Sequence, residues 1–221
     1  MIITVGNEKG GTGKTTITLE LALAAMAKGY SVKLVDVDHQ QSATLWSSYR
    51  ADRHPTLPQI DVIPVVGKTV GTHIQAFAKD HDLVLVDVGG KDTAELRLSV
   101  LVSNVLLVPT TPSVHDVWPL ETVSSAVHEL RLQNPALQCW ILPARIKHYR
   151  KATAPDRLRQ TVDAEEDYRT AFTKVLNSAV CERAAFDRAA EAGLSVRELK
   201  GSQYDAEANY EIKQLVEEIF Q

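Results

Sequence analysis

Short, continuous apolar runs alternate along the chain with longer segments in which apolar residues recur at helical spacing. The apolar runs predict strands at residues 2–5, 31–37, 60–65, 83–88, 105–108, 139–142 and 175–180. The longer segments predict helices at residues 14–28, 41–50, 70–79, 93–101, 114–132, 155–176, 182–192 and 206–220. We therefore expect an α/β fold in a single domain over residues 1–221, with a mostly parallel, twisted sheet of about seven strands and helices on both faces.

A glycine-rich loop joins the first predicted strand to the first predicted helix. Glycines let the backbone fold closely around an anion, so that several N–H groups point inward, and the helix adds its positive N-terminal end. Lys14 would reach the outer phosphates of a nucleotide, and the hydroxyl of Thr15 would bind Mg²⁺. The predicted phosphate site consists of Lys9, Gly10, Gly11, Thr12, Gly13, Lys14, Thr15 and Thr16.

Acidic residues end two of the predicted strands. The second strand ends in Asp36 and Asp38, which strand alternation places on the same side. Two carboxylates beside a phosphate loop would serve Mg²⁺ and an attacking water, although one of them could instead cap the next helix. The fourth strand ends in Asp87, a Walker B pattern in which the carboxylate holds Mg²⁺ through a water. The backbone N–H groups of Gly89 and Gly90 would then contact the γ-phosphate.

The loop resembles the deviant Walker A motif of the ParA/MinD family of ATPases, which reads K-G-G-x-G-K-[ST]. Glu8 stands where the ordinary phosphate-loop pattern has its first glycine, and Lys9 begins the loop. The resemblance implies a P-loop NTPase fold of the deviant Walker A type, with ATP and Mg²⁺ as cofactors. It also implies an ATP-dependent homodimer, in which Lys9 crosses the interface and touches the nucleotide of the other subunit.

Further segments extend the resemblance over most of the chain. Residues 36–40 are similar to the family's D-x-D-P-Q segment, which implies that Asp38 orients the attacking water and that Asp36 lies close to the Mg²⁺ shell. His39 replaces the family's proline, and we expect it to be a loop residue and not a catalytic base. Residues 108–113 are similar to a V-P-x-x-P-S segment near the nucleotide and the dimer face. Residues 185–197 are similar to the stretch that precedes the last helix.

The resemblance assigns roles to individual residues. Lys9, Lys14 and Asp38 would be catalytic, and Thr15, Asp36 and Asp87 would surround the metal. Pro143 and Arg145 directly follow the sixth predicted strand, where the family contacts the base.

Composition excludes several classes of protein. The family also includes the nitrogenase iron protein, which needs cysteines that bind an iron–sulfur cluster, and arsenite pumps, which need thiol ligands. Cys139 and Cys181 have neither spacing and give no disulfide framework, which argues against both of these proteins. We expect reduced thiols in a cytoplasmic protein, because no signal peptide or membrane-spanning run is evident. The polar face of the helix at 206–220 is acidic, so we expect no attachment to anionic membranes.

Three functions stay open after these exclusions. No helix-turn-helix segment precedes the loop in this sequence, which therefore resembles the small ParA-type ATPases of plasmid or chromosome partition. Such a protein would work with a centromere-binding or adaptor protein that stimulates its ATPase. The first alternative is a ParA-like positioning ATPase for a non-DNA cargo. The second is an ATP-dependent synthetase or amidoligase of the dethiobiotin synthetase/CobQ type, against which Lys9 argues.

Positive charge is concentrated between residues 145 and 159, although the formal net charge of the chain is -4. A charge run is often only a solvated face. In a dimer, however, two copies of the patch would act together. Phosphate contacts that are weak in one subunit would then suffice to bind DNA once ATP has closed the dimer. We therefore expect non-specific DNA binding and association with the nucleoid. The predicted DNA-binding residues are Lys147, Arg150, Lys151, Arg183 and Arg188.

Overall fold

A computed structural model of the chain describes residues 1–7, 10–90, 93–111 and 114–220, with the backbone alone for residues 114–119. The strands are β1 (Ile2–Val5), β2 (Val32–Asp36), β3 (Asp61–Pro64), β4 (Leu83–Asp87), β5 (Val105–Thr110), β6 (Gln138–Ile146), β7 (Lys174–Val175) and β8 (Val180–Cys181). The helices are α1 (Lys14–Ala27), α2 (Ser42–Arg53), α3 (Val70–Asp80), α4 (Ala94–Leu101), α5 (Val114–Arg131), α6 (Ala154–Ala164), α7 (Glu166–Ala171), α8 (Ala184–Ala192) and α9 (Ala206–Ile219). Two short 3-10 helices cover His148–Thr153 and Gly201–Gln203.

The described strands form a parallel sheet in the order β3-β2-β4-β1-β5-β6-β7, and β8 also pairs with β6. This arrangement confirms the predicted α/β fold. The chain leaves β1 toward β2 on one side, whereas β5 lies on the other side of β1. Ligands of open parallel sheets bind beyond the carboxyl ends of the strands at such a reversal. The topology therefore places a binding crevice directly after β1, where the glycine-rich loop begins.

Side chains of the central strands alternate between two hydrophobic layers. Leu83 and Leu85 of β4 pack into the cluster that contains residues of α1, α8 and α9. Val84 and Val86 point to the opposite face, where they pack with residues of α3. Burial on both faces explains why these strands read as continuous apolar runs, because neither side of such a strand meets water.

Two predicted elements near the C-terminus are wrong in extent. The strand predicted at 175–180 is divided into β7 and β8, because the carboxylate of Glu218 accepts hydrogen bonds from the N–H groups of Asn177 and Ser178, at 2.9 and 2.7 Å. These N–H groups cannot also join a strand ladder. The helix predicted at 155–176 is interrupted at Glu165, whose backbone is extended, and ends before β7.

Two further structural findings bear on the predictions from composition. Cys139 and Cys181 are buried free thiols in β6 and β8. Among the helices that the structure describes, none combines the length and the apolar character needed to cross a bilayer.

A buried polar network joins α1 and α2 to the segment that follows α8. The carboxylate of Glu20, on α1, accepts a 2.6 Å hydrogen bond from the hydroxyl of Ser195. Arg50, on α2, is fully buried and forms a bidentate ion pair with Glu198, at 2.6 and 2.7 Å. Arg50 also donates to the carbonyl oxygen of Gly193 at 2.9 Å. The helix that starts at the phosphate loop is thus fixed relative to α2 through one short segment.

This network makes a pH-dependent contribution to stability. Burial raises the pKa of Glu20 to about 7 from an ordinary value of 4.5, so between these values the folded protein keeps a proton that the unfolded chain releases. The free energy of unfolding therefore falls as the pH rises through this window. In a Glu20→Gln variant the amide oxygen can accept from the N–H of Val196, as Glu20 does at 2.9 Å, and the amide NH2 can donate to the hydroxyl of Ser195. The stability of this variant relative to the wild type should therefore increase by up to about 3 kcal/mol from about pH 5 to about pH 8. Urea unfolding of both proteins at the two pH values measures this gain, and an equal difference at both would contradict it.

Candidate functional site

The glycine-rich loop has the backbone conformation of an anion cradle. Gly11 and Gly13 adopt left-handed conformations, with φ of 72° and 85°, which side chains rarely tolerate. Gly13 is the N-cap residue of α1. Because glycine has no side chain to accept hydrogen bonds from the first-turn N–H groups, these groups stay available for an anion. The predicted phosphate site is therefore formed locally by the turn from β1 into α1.

The loop opens into a cleft of about 580 Å³ at the carboxyl ends of β1, β2 and β4. Its lining includes Gly10, Gly11, Gly13, Lys14, Thr15, Thr16, Asp38, His39, Gly89, Gly90 and Thr93. A larger groove, of about 730 Å³, lies between the 3-10 helix at His148–Thr153 and α9, but the predicted phosphate residues do not line it. The candidate site is therefore chosen by the chemistry of its lining and not by its volume.

Lys14 is the cation at the floor of this cleft. Its side chain is largely buried. Burial lowers the pKa of Lys14, whereas the carboxylates of Asp87 and Asp38 act in the opposite direction. When a nucleotide binds, the ammonium group of such a lysine can exchange its carboxylate neighbours for the more highly charged phosphates.

Thr15 and Asp87 are joined at the predicted metal position. The hydroxyl of Thr15 donates to Oδ2 of Asp87 at 2.7 Å. Asp87 is fully buried, and burial raises the pKa of its carboxyl to about 7. A hydroxyl and a buried carboxylate are hard oxygen ligands, and a divalent cation between them would favour the charged carboxylate. The residues present therefore fit Mg²⁺.

Thr18 is a site residue that sequence reasoning missed. Its buried hydroxyl donates to the carbonyl oxygen of Lys14 at 2.9 Å and lies 3.3 Å from Oδ1 of Asp87. It thus contacts the oxygen of Asp87 that Thr15 does not. The available signal was helical spacing, since Thr18 lies three residues after Thr15 and shares its helix face.

Asp36 and Asp38 occupy different environments. Asp36 is fully buried, and its Oδ2 accepts hydrogen bonds from both the N–H and the hydroxyl of Thr44 at 2.9 Å. The capping alternative thus describes Asp36, which holds the first turn of α2. Asp38 is half-buried and lines the cleft, with its Oδ1 accepting from the N–H of Gln40 at 3.0 Å. His39 is exposed beside it.

The carboxylate of Asp38 occupies the space that a side chain at Gly89 would need, because a Cβ atom added at Gly89 would lie 3.2 Å from Oδ1 of Asp38. A Gly89→Ala variant should displace this carboxylate and lower ATP hydrolysis about tenfold, with little change in ATP affinity. Gly71→Ala is the matched control, since its added Cβ would lie 3.3 Å from Leu98 O, away from the cleft. Equal hydrolysis by the two variants would contradict the predicted role of the Asp38 carboxylate position.

Arg145 reaches the phosphate loop from the end of β6. Its backbone is left-handed, with φ of 52°, at the irregularity where β6 changes register against β8. Its guanidinium donates to the carbonyl oxygen of Gly11 at 2.6 Å and to Glu182 at 3.1 Å. Pro143, by contrast, is buried within β6.

A small pocket of about 140 Å³ adjoins the loop on this side. Its lining combines Thr12, Thr16 and Arg145 with residues that sequence reasoning missed, namely Ile17, Val180, Cys181, Glu182, Phe186 and Asp187. Pro143 is absent from the described lining of this pocket.

The predicted DNA-binding cations are largely engaged in ion pairs. Lys147 is bonded to Glu182. Lys151 and Arg183 both contact the buried carboxylate of Glu211, at 3.0 and 2.8 Å. The charge run in the sequence is thus partly neutralised by acidic residues from distant parts of the chain.

Arg150 and Arg188 differ from these three cations. Arg150 is exposed, and its guanidinium lies 5.5 Å from the ring centre of Tyr149. Arg188 is half-buried on α8. Lys9 lies outside the described residues, as do Pro112 and Ser113 of the 108–113 segment.

Comparison with known proteins finds similarity over most of the chain. Residues 3–196 match the family described as the CobQ/CobB/MinD/ParA nucleotide binding domain. The "Maintenance of carboxysome distribution protein A" of Gloeobacter kilaueensis is 31% identical over 214 residues, which cover 95% of this chain and 90% of that protein.

Two solved structures share the fold. The septum site-determining protein MinD of Pyrococcus horikoshii, complexed with Mg-ADP, superposes with a TM-score of 0.66 at 16% identity, covering 100% of this chain and 96% of that one. A plasmid partition protein of Borrelia burgdorferi superposes with a TM-score of 0.57 at 17% identity, covering 89% and 96%.

Proposed function

Because the chain belongs to the CobQ/CobB/MinD/ParA family of nucleotide-binding domains, we propose that it is a Mg²⁺-dependent ATPase that works as a dimerising switch. In this proposal the ATP-bound dimer drives plasmid or chromosome partition by binding DNA without sequence preference. The observation that carries the proposal is the convergence of Lys14, the Thr15–Asp87 pair and Asp38 on one cleft.

Each of these side chains has a separate task in ATP hydrolysis. Lys14 and the N–H groups of the loop hold the outer phosphates and neutralise their charge. Thr15 and Asp87 hold Mg²⁺, which supplies further charge neutralisation when bound. Asp38 orients the attacking water from the wall of the cleft, which it shares with Gly89. Phosphoryl transfer needs mainly this positioning and electrostatic stabilisation.

The proposed partners follow from the switch. A second copy of the chain closes over the nucleotide, with Lys9 of each subunit reaching the other. A centromere-binding or adaptor protein then accelerates hydrolysis, and the dimer opens.

A second candidate is the positioning of a non-DNA cargo. It is favoured by the relative from Gloeobacter kilaueensis, whose name refers to carboxysome distribution. Both candidates use the same nucleotide switch and differ in what the dimer moves.

The ion pairs of the predicted DNA-binding cations differ in how easily they could be broken to free the cation for DNA. Releasing Lys151 or Arg183 would remove one of the two cations that pair with the buried carboxylate of Glu211, which is costly. Lys147 is paired only at the surface, where ion pairs are weak, and Arg150 is exposed. In the proposal, Lys147 and Arg150 make the main contacts to DNA phosphates. Lys151, Arg183 and Arg188 have a structural role at the same surface.

We expect a Lys147→Glu/Arg150→Glu variant to bind duplex DNA at least about tenfold more weakly than the wild type in ATP, with a reduced salt dependence. Lys68→Glu/Lys79→Glu is the matched control, because it makes the same charge change at two exposed lysines between β3 and β4, toward the other edge of the sheet from β6. Fluorescence anisotropy over a salt series, in ATP and in ADP, measures both quantities. If the ATP-bound wild type has no affinity for DNA at low salt, DNA is excluded as a partner of the dimer. If both variants lose the same affinity, Lys147 and Arg150 are excluded as the DNA contacts.

A further inference from the structure

The carboxylate of Asp36 is engaged by the two ends of one segment. Its Oδ2 accepts the N–H and the hydroxyl of Thr44, both at 2.9 Å, and its Oδ1 accepts the N–H of Asp38 at 3.2 Å. Residues 38–44 therefore begin and end on a single buried side chain. A short loop whose ends are held together in this way has few alternative conformations.

The Thr44 end of this loop rests on a fixed helix. Thr44 lies in the first turn of α2, and the fully buried Arg50 holds the far end of the same helix. The guanidinium of Arg50 donates to the carbonyl oxygens of Pro58 and Gly193, at 3.1 and 2.9 Å, besides its ion pair with Glu198. Asp36 is thus linked through Thr44 to an element that cannot shift without breaking buried hydrogen bonds.

The other end of the loop carries the residue proposed to orient water. The N–H of Asp38 is bonded to Asp36, and the carboxylate of Asp38 accepts from the N–H of Gln40 and fills the space that a side chain at Gly89 would need. The place of the Asp38 carboxylate therefore depends on where Asp36 holds the Asp38 backbone.

We propose that Asp36 is a positioning residue that sets the Asp38 carboxylate in the cleft by tying it to α2, and that it does not bind Mg²⁺. The proposal rests on the proposed ATPase function and replaces the metal role that the sequence predicted for Asp36. The two aspartates Asp36 and Asp87 lie side by side in β2 and β4, yet their partners differ. Asp87 is bonded to Thr15, the predicted metal ligand, whereas the hydrogen bonds described for Asp36 come from Asp38 and Thr44.

The Thr44 hydroxyl offers the mildest test of this link. Thr44→Val removes the hydroxyl and keeps the N–H and the shape of the side chain, whereas Thr44→Ser keeps the hydroxyl. We expect Thr44→Val to lower the single-turnover rate of ATP hydrolysis about fivefold and Thr44→Ser to restore it. ATP affinity and the Mg²⁺ concentration that half-saturates ATP binding should stay within about twofold of the wild type, because no metal ligand has changed.

Asp36→Asn, compared with Asp87→Asn, separates positioning from metal binding. In Asp36→Asn, an NH2 group replaces one of the two carboxylate oxygens. In either orientation of the amide, this NH2 group faces the backbone N–H of Asp38 or of Thr44 and one hydrogen bond is lost. Hydrolysis should therefore fall at least about tenfold. Its half-saturating Mg²⁺ concentration, measured with a fluorescent ATP analogue, should match the wild type, while that of Asp87→Asn should rise at least about tenfold. Melting temperatures measured with ATP absent identify any variant that is unfolded, in which case the Thr44 pair decides.

Three outcomes would overturn one or both proposals. A rise in half-saturating Mg²⁺ for Asp36→Asn as large as that for Asp87→Asn would make Asp36 a metal ligand. A folded Thr44→Val protein with the wild-type hydrolysis rate would show that the link does not position Asp38. A wild type that binds ATP without hydrolysing it would defeat the proposed function, and this inference with it.

Discussion

A Lys14→Ala variant is expected to bind ATP about 100-fold more weakly than the wild type or to lose binding altogether. Lys14 is the buried cation of the cleft, and loss of its charged hydrogen bonds to the outer phosphates would cost about 3 kcal/mol. Isothermal titration with ATP and Mg²⁺ measures the affinity. Lys28→Ala is the matched control, since it removes the same charge from the exposed end of the same helix.

The contradicting result would be an ATP affinity of Lys14→Ala equal to that of Lys28→Ala. The turn between β1 and α1 would then not be the phosphate site, and the arrangement of Thr15 and Asp87 would need another explanation.

An Asp38→Ala variant should keep its ATP affinity but hydrolyse ATP about 100- to 1000-fold more slowly. Its carboxylate lines the cleft beside Gly89, where an attacking water would lie, and its removal leaves the phosphate loop intact. Losses of this size are typical when a group that assists the attacking water is removed. Phosphate release compared with equilibrium ATP binding separates the two effects.

Asp52→Ala serves as the control for Asp38→Ala, because Asp52 is an exposed carboxylate on α2. Near-normal phosphate release from Asp38→Ala would move the water-orienting role to another residue. A loss of ATP affinity in this variant would instead show that Asp38 holds the nucleotide.

The central strands were predictable because their signal is local. The strands β1, β2 and β4 are buried on both faces, so their residues before the cleft are apolar except for Thr4 and Lys33. The division of the last predicted strand was not predictable, because it depends on Glu218, which lies about 40 residues away on α9. Apolar pattern alone cannot show that a distant carboxylate takes the N–H groups of a strand.

The candidate site divides in the same way. Lys14, Thr15 and Asp87 lie in short motifs whose spacing carries their chemistry, and the structure brings them together. Thr44 could not be assigned from spacing, since its importance comes from a hydrogen bond to Asp36 across the loop at residues 38–44. The basic run was visible in the sequence, but its neutralisation was not, because Glu211 is distant along the chain.

Sedimentation velocity in ATP and in ADP, with and without duplex DNA, tests the central claim most directly. Asp38→Ala is the protein to use, since slow hydrolysis should keep ATP in the cleft, and a Lys9→Ala/Asp38→Ala protein is its control. We predict a dimer in ATP that sediments with DNA, a monomer in ADP that does not, and a monomer in both nucleotides when Lys9 is replaced. The same sedimentation coefficient in ATP and ADP, for a protein shown to bind both, would contradict the account of an ATP-driven dimerising switch.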